Sequence, residues 1–110
     1  MRVVADHSIE PGNARVSATW RDGPLASSSE TLVVEGNHYF SRADVDFRYL
    51  EESDHTSYCP WKGTARYWDV VVAGARNPNA AWSYDEPMDG ATAVTQRIAF
   101  WKGVEVRADS

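Results

Sequence analysis

The segment Asp54-His55-Thr56-Ser57-Tyr58-Cys59-Pro60-Trp61-Lys62-Gly63 puts the only cysteine of the chain beside a histidine, a tryptophan and a lysine, closed by proline and glycine. A thiolate is a strong nucleophile once a nearby cation lowers its pKa, and Lys62 or His55 could supply that charge from the same segment. The competing reading makes Cys59 a small buried residue that locks the backbone and does no chemistry. Lys62 has three chemical uses: a desolvated base, a Schiff-base amine, or the partner of a substrate carboxylate. Its plainer use is a stem packed on Trp61 with the ammonium in water. Cys59, Lys62 and His55 are therefore the candidate catalytic set.

Two aromatic segments follow, Ala65-Arg66-Tyr67-Trp68 and Ala80-Ala81-Trp82-Ser83-Tyr84. Proline fixes its own φ and glycine allows a tight exit, so the side chains between Cys59 and Gly63 are held for presentation. The expectation is one aromatic-walled cavity lined by Cys59, Lys62, Trp61, Trp68, Trp82 and Tyr84, with Tyr67 among the substrate-binding residues and Arg42 or Asp44 at the rim. Tryptophans are also ordinary core material for a small β domain without disulfides.

The elements that must carry these residues are read from periodicity. Arg15 to Trp20 alternates polar and apolar residues, and Arg21-Asp22-Gly23-Pro24 turns it back into Leu25 and Ala26. Thr31 to Val34 and His38 to Ser41 are strands about the turn Glu35-Gly36-Asn37. Val45 to Tyr49 alternates and predicts another strand, ending in an acidic loop from Glu51 to Asp54. Tyr67 to Val72 and Ala80 to Tyr84 form a hairpin that should carry Trp68 and Trp82 together. One short helix is predicted from an N-cap at Asp89 to about Arg97. Ile98 to Trp101 and Val104 to Val106 close the chain as a strand or hairpin. Val16, Trp20, Val45, Phe47, Val71, Ile98 and Phe100 are the expected core.

At 110 residues the chain is read as one domain, 1–110, with any site built on its single core. A net charge of -5 argues against nucleic acid as a partner, which would need a basic face. No apolar run is long enough for a membrane span, and Met1 to His7 lacks the apolar stretch of a signal peptide. One cysteine allows no internal disulfide, so a cytoplasmic protein is expected, with its oligomeric state left open.

From about Asp6 to Val106 the chain resembles the small bacterial and fungal family called domain of unknown function 427. The resemblance rests on His7-Ser8-Ile9-Glu10-Pro11, Arg15-Val16, Ala26-Ser27, Tyr39-Phe40, Arg42-Ala43-Asp44-Val45, Asp54-His55-Thr56, Cys59-Pro60-Trp61-Lys62-Gly63, Ala80-Ala81-Trp82-Ser83-Tyr84, Pro87 and Ala99-Phe100. It implies a mainly β fold, a single compact antiparallel β domain of β-tent type with one short helix, similar to methionine sulfoxide reductase B and the ligand-binding domain of cereblon. It implies no activity. By fold analogy, β-tent proteins hold small ligands in an aromatic cage on this side of the sheet. The chain departs from the family in having Ser41 before Arg42 and Tyr58 before Cys59, where relatives carry a proline and a second histidine. A histidine assisting Cys59 would then be His55, His7 or His38.

Several β-tent relatives hold zinc on paired Cys-x-x-Cys knuckles; one cysteine and three scattered histidines fall short of that ligand set, and no metal or cofactor is expected. A sulfoxide reductase activity lacks its resolving thiol. Nucleotidyl transfer, hinted at by some labels of the family, lacks both a Gly-Ser with paired aspartates and a phosphate-cradling glycine loop. Two functions remain: a non-catalytic, aromatic-walled pocket that binds a small molecule or a partner through a planar or cationic group, or a small enzyme using Cys59, Lys62 and His55 on an organic substrate.

Overall fold

The computed structural model describes residues 9–12 and 14–108. His7 and Ser8 of the family motif lie outside the described residues. The strands are β1 (Ile9–Pro11), β2 (Val16–Trp20), β3 (Gly23–Ser28), β4 (Leu32–Val34), β5 (Asn37–Tyr39), β6 (Leu50–Cys59), β7 (Gly63–Val72), β8 (Ala75–Ser83), β9 (Ala99–Phe100) and β10 (Glu105–Ala108). They pair antiparallel into three sheets among the described residues: β1-β4-β5, β10-β2-β3 and β6-β7-β8-β9.

Local turn chemistry explains the hairpins. Pairing of Trp20 with Gly23, Val34 with Asn37 and Val72 with Ala75 leaves two-residue loops at Arg21-Asp22, Glu35-Gly36 and Ala73-Gly74. All six turn residues have positive φ, the conformation whose twist matches that of the flanking strands.

The four-stranded sheet carries core on both faces. Trp68, Val70 and Val72 of β7 point to one side, where they meet Val16, Leu25 and Phe40. Ala65 points to the other, where it meets Val34, Tyr39, Tyr84 and Val94. Phe40 and Ile98 exchange backbone hydrogen bonds of 2.7 and 2.9 Å, tying the chain beyond β5 to the strand approach of β9. The phase of β7 puts Val70 and Val72 inside and leaves the expected core residue Val71 only half-buried.

Four expectations are corrected. Val45 to Tyr49 is no strand: Val45 makes one bridge to Ala26, and Phe47–Tyr49 is a 3-10 turn capped by Asp46, whose carboxylate accepts the Arg48 backbone N–H at 3.1 Å. An aspartate that captures the N–H two residues on competes with the strand ladder. The acidic loop 51–54 and most of the segment 54–63 are strand β6; the true loop is Pro60-Trp61-Lys62. The helix is a 3-10 segment, Asp89–Val94, kinked at Ala91, with Met88 rather than Asp89 at its cap. Gly90 and the β-branched Thr92 and Val94 are poor α-helix formers. Finally, β9 pairs with β8 and β10 with β2, so the closing strands join different sheets instead of each other.

Among the described residues, strand β6 forms one edge of its sheet, with a bulge between Glu52 and Thr56.

Replacing fully buried Phe40 with alanine should cost about 3–5 kcal/mol of stability in urea unfolding, against under about 1 kcal/mol for Val71→Ala. Equal losses would contradict the full burial of Phe40 in the cluster with Val70 and the half-exposure of Val71.

Candidate functional site

Pairing places Cys59 opposite Gly63, with the three residues between them reversing the chain. Gly63 makes the exit at φ +105°, and a Cβ there would lie 3.5–3.6 Å from the backbone of Glu86 to Met88. The Met88 N–H donates to the Lys62 carbonyl at 3.1 Å. The loop is thereby fixed from outside as well as by proline, and Lys62 is turned inward: the residue is 6% exposed.

A buried ammonium needs compensation. Lys62 Nζ lies 2.6 Å from Glu35 Oε1, on the β4–β5 turn of a different sheet. It also sits 5.3 Å from the ring centroid of Tyr84 and 5.6 Å from that of Trp61, both within cation–π range. Tyr39, fully buried on β5, accepts a hydrogen bond from Trp82 Nε1 at 3.1 Å and packs edge-on against that ring. Glu35, Lys62, Tyr39, Tyr84 and Trp82 thus form one polar and aromatic cluster between two sheets.

Above this cluster opens a hollow of about 240 Å³ lined by Asn37, Lys62, Tyr67, Trp82, Tyr84 and Trp101. Tyr67 and Trp82 are cross-strand partners on one face. Trp101, 44% exposed, stands 5.7 Å from Trp82 and 6.4 Å from Tyr67, and its Nε1 donates to the Asn79 carbonyl at 2.6 Å.

Of the expected site residues, Lys62, Tyr67, Trp82 and Tyr84 share this hollow. Trp61 touches the Lys62 ammonium but lines a separate groove with Met88, Asp89 and Gly90. Cys59 is half-buried against the apolar cluster that contains Ala65 and Tyr84. His55 is exposed and tilts over Tyr67 at 4.6 Å. No hydrogen bond among the described residues joins Cys59 to His55 or Lys62. His38 is held elsewhere, its Nδ1 lying 2.8 Å from Thr31 Oγ1; His7 lies outside the described residues.

Trp68 is on the opposite face. Its register partner is Ala81 while that of Trp82 is Tyr67, so the period of two sends the two tryptophans apart. There Trp68 carries two guanidinium groups, Arg66 at 4.9 Å and Arg42 at 5.5 Å. Both arginines pair with Asp85, at 3.0 and 3.7 Å. Asp44 lines a third groove with Leu25, Ala43 and Val45. Neither Arg42 nor Asp44 rims the hollow. Sequence reasoning missed Glu35, Asn37 and Trp101 and quoted Tyr39 only as part of a motif; the two-residue turn at Glu35-Gly36 was readable, but its packing onto the Lys62 loop was not.

Among the described residues no group of three or more His, Cys, Asp or Glu could hold a metal ion, and no helix is long and apolar enough to cross a membrane. A family model described as a domain of unknown function (DUF427) matches residues 8–110, nearly the whole chain. No curated protein matches it.

The cluster is held in one protonation state. Burial pushes the Tyr84 hydroxyl up to about 12, against a Lys62 charge that works the other way. Burial likewise raises Tyr39. For Lys62, burial alone pushes down, but the Glu35 hydrogen bond and the two tyrosines outweigh it and the net shift is upward. Groups whose pKa is raised by folding stabilise the fold in full below their unfolded pKa and lose that contribution as pH rises through the folded value. For Tyr84 the window runs from 10.0 to about 12, a contribution on the order of 2–3 kcal/mol. Stability measured in urea should therefore fall steeply above pH 10, and Tyr84→Phe should flatten that fall and remove a late step from the tyrosinate absorbance titration. A wild-type profile without any loss between pH 10 and 12 would contradict the buried cluster.

Proposed function

The chain belongs to the family described as domain of unknown function 427, and from that premise we propose that the hollow beside Lys62 binds a small molecule bearing a planar ring, neutral or anionic. One observation carries this: four aromatic side chains, Tyr67, Trp82, Tyr84 and Trp101, line a hollow of about 240 Å³ together with the charged, nearly buried Lys62. Aromatic walls with a few oriented polar groups suit a flat ligand. The volume is small for a drug-sized ligand, whose sites run to roughly 300–1,000 Å³, and suits a single ring.

Charge selects against a cation. Lys62 already lies over Tyr84, and Lys102 Nζ lies 5.1 Å from the Trp101 ring centroid. A cationic ligand would meet lysines already placed over Tyr84 and Trp101, two of the four aromatic walls.

Binding is favoured over catalysis because Lys62 is kept protonated by its neighbours, which suits a fixed positive charge and not a base or Schiff-base amine. Cys59 packs with apolar residues and has no hydrogen bond to His55 or Lys62. A cytoplasmic setting belongs to the same reading and is supported by the single unpaired thiol.

Titration with benzamide, benzoate and benzyltrimethylammonium, followed by tryptophan fluorescence, tests the reading. Saturable binding of benzamide or benzoate is expected, with benzyltrimethylammonium at least about tenfold weaker, a difference near 1.4 kcal/mol. Trp101→Ala, a half-exposed position whose loss leaves the core intact, should weaken binding, and Trp82→Ala should abolish it. Absence of saturable binding by any of the three, or preference for the cation, would sink the reading.

A further inference from the structure

We infer that the ring bound in the hollow carries a carbonyl-type oxygen and that the Tyr84 hydroxyl donates its proton to that oxygen, which makes Tyr84 the residue that selects among planar rings. The inference rests on the reading of the hollow as a binding site and adds the group the ligand must bear and the side chain that reads it.

The polar groups around the hollow can be accounted for one by one. Trp82 Nε1 donates to Tyr39 Oη at 3.1 Å, and Trp101 Nε1 to the Asn79 carbonyl at 2.6 Å. Tyr67 Oη is hydrogen-bonded to Ser57 Oγ at 2.9 Å. Lys62 Nζ donates to Glu35 Oε1 at 2.6 Å. Asn37 is half-buried, and its amide both donates and accepts, so it makes no one-sided demand on a ligand. What remains is Tyr84.

Tyr84 lines the hollow and is 5% exposed, and among the described residues its hydroxyl proton has no acceptor. Its hydrogen-bonding neighbour is the Lys62 ammonium, which has three donors and no lone pair. Lys62 can therefore donate to the Tyr84 oxygen but cannot receive its proton. The positive charge turns the hydroxyl hydrogen away from itself, and burial keeps that hydrogen in place up to a pH of about 12. Tyr84 is thus a donor at every ordinary pH. Buried donors are nearly always paired, and the hollow that Tyr84 lines is the opening through which an acceptor from outside the chain arrives.

Charge narrows the acceptor. Lys62 already has its counter-ion in Glu35, so the incoming group need carry no charge of its own, and a carbonyl oxygen with two lone pairs is sufficient. The ring attached to it would lie among Tyr67, Trp82 and Trp101. A ring of the same size without an acceptor would cover the hydroxyl, exclude water from it and leave it unpaired. That asymmetry discriminates more strongly than shape, because an unmatched buried donor opposes binding while a matched one supports it.

The experiment compares benzamide, which has a carbonyl oxygen, with indole, a flat ring that has an N–H and no acceptor oxygen, on wild type and Tyr84→Phe by calorimetry. Phenylalanine keeps the ring that faces the Lys62 ammonium and removes only the hydroxyl. Benzamide should bind Tyr84→Phe about tenfold more weakly than wild type. Indole should lose no affinity, because the variant leaves no unpaired donor beneath it. A second measurement uses the wild-type chain alone: a crystal structure with benzamide should place its carbonyl oxygen about 2.5–3.0 Å from Tyr84 Oη. Unchanged benzamide affinity in Tyr84→Phe, an equal loss for both probes, or a carbonyl oxygen turned away from Tyr84 would overturn the donor role while leaving the ring-binding hollow intact. Failure of both probes to bind wild type would overturn the hollow itself, and the donor role with it.

Discussion

An ammonium cannot be enclosed in a protein of this size without an anion and ring faces to receive it, and the arrangement of sheets around Lys62 follows from that demand. The loop between β6 and β7 supplies the charge, the β4–β5 turn supplies Glu35, β5 supplies Tyr39, and the end of β8 leads into Tyr84. Three separate pieces of chain, the β4–β5 hairpin, the β6–β7 loop and the end of β8, must arrive together for the cluster to be satisfied. A hydrophobic contact tolerates small slips in register; a 2.6 Å contact to a buried ammonium tolerates them less. The polar cluster therefore specifies how the three-stranded β1-β4-β5 sheet docks on the four-stranded one, while the apolar residues around it supply most of the burial.

How much of this was legible depends on the range of the interaction. Turns and strands are local, and Glu35-Gly36, Ala73-Gly74 and the alternation from Val16 to Trp20 were readable because two or three residues decide them. The misread elements are those where a side chain took a backbone partner or a tertiary contact overrode periodicity. Asp46 converted an alternating stretch into a 3-10 turn, and the Asp89 segment had too weak an intrinsic preference to become an α-helix. The site suffered most from one detail of phase. Reading Trp68 and Trp82 as hairpin neighbours was correct for the strands, but adjacent positions on paired strands face opposite ways unless they are register partners. Glu35 and Trp101 could not be found from the sequence, because nothing local connects a turn glutamate to a lysine 27 positions away.

The far side of the same sheet answers a related question differently. Trp68 is 6% exposed yet lies beneath Arg42 and Arg66, whose shared partner Asp85 also accepts a hydrogen bond from Ser83 Oγ at 2.9 Å. Trp68 Nε1 in turn donates to Ser83 Oγ at 3.4 Å. Here the charges roof a core tryptophan and satisfy one another, with Glu52 as a further carboxylate for Arg66. The arginine of the family motif is accounted for as a structural member: its Nη1 donates to the Gln96 carbonyl at 2.5 Å and so staples the 3-10 turn at Arg42–Asp44 to the chain before β9.

Strand β6, at the margin of its sheet, has a bearing on how copies of the protein treat one another. An unpaired margin of ten residues would template the addition of a foreign strand, and crowded solutions would turn it into a seed for precipitation. This margin carries Glu51, Glu52 and Asp54 on its first half and is interrupted where the register shifts before Thr56. A second copy laid parallel and in register would bring carboxylates against carboxylates, and one laid antiparallel would find a ladder broken midway. The irregular backbone of β6, with Glu51 and Glu52 tied to Arg76 and Arg66 across the sheet, makes this margin a poor template for another strand, a matter separate from the chemistry on the face of the sheet.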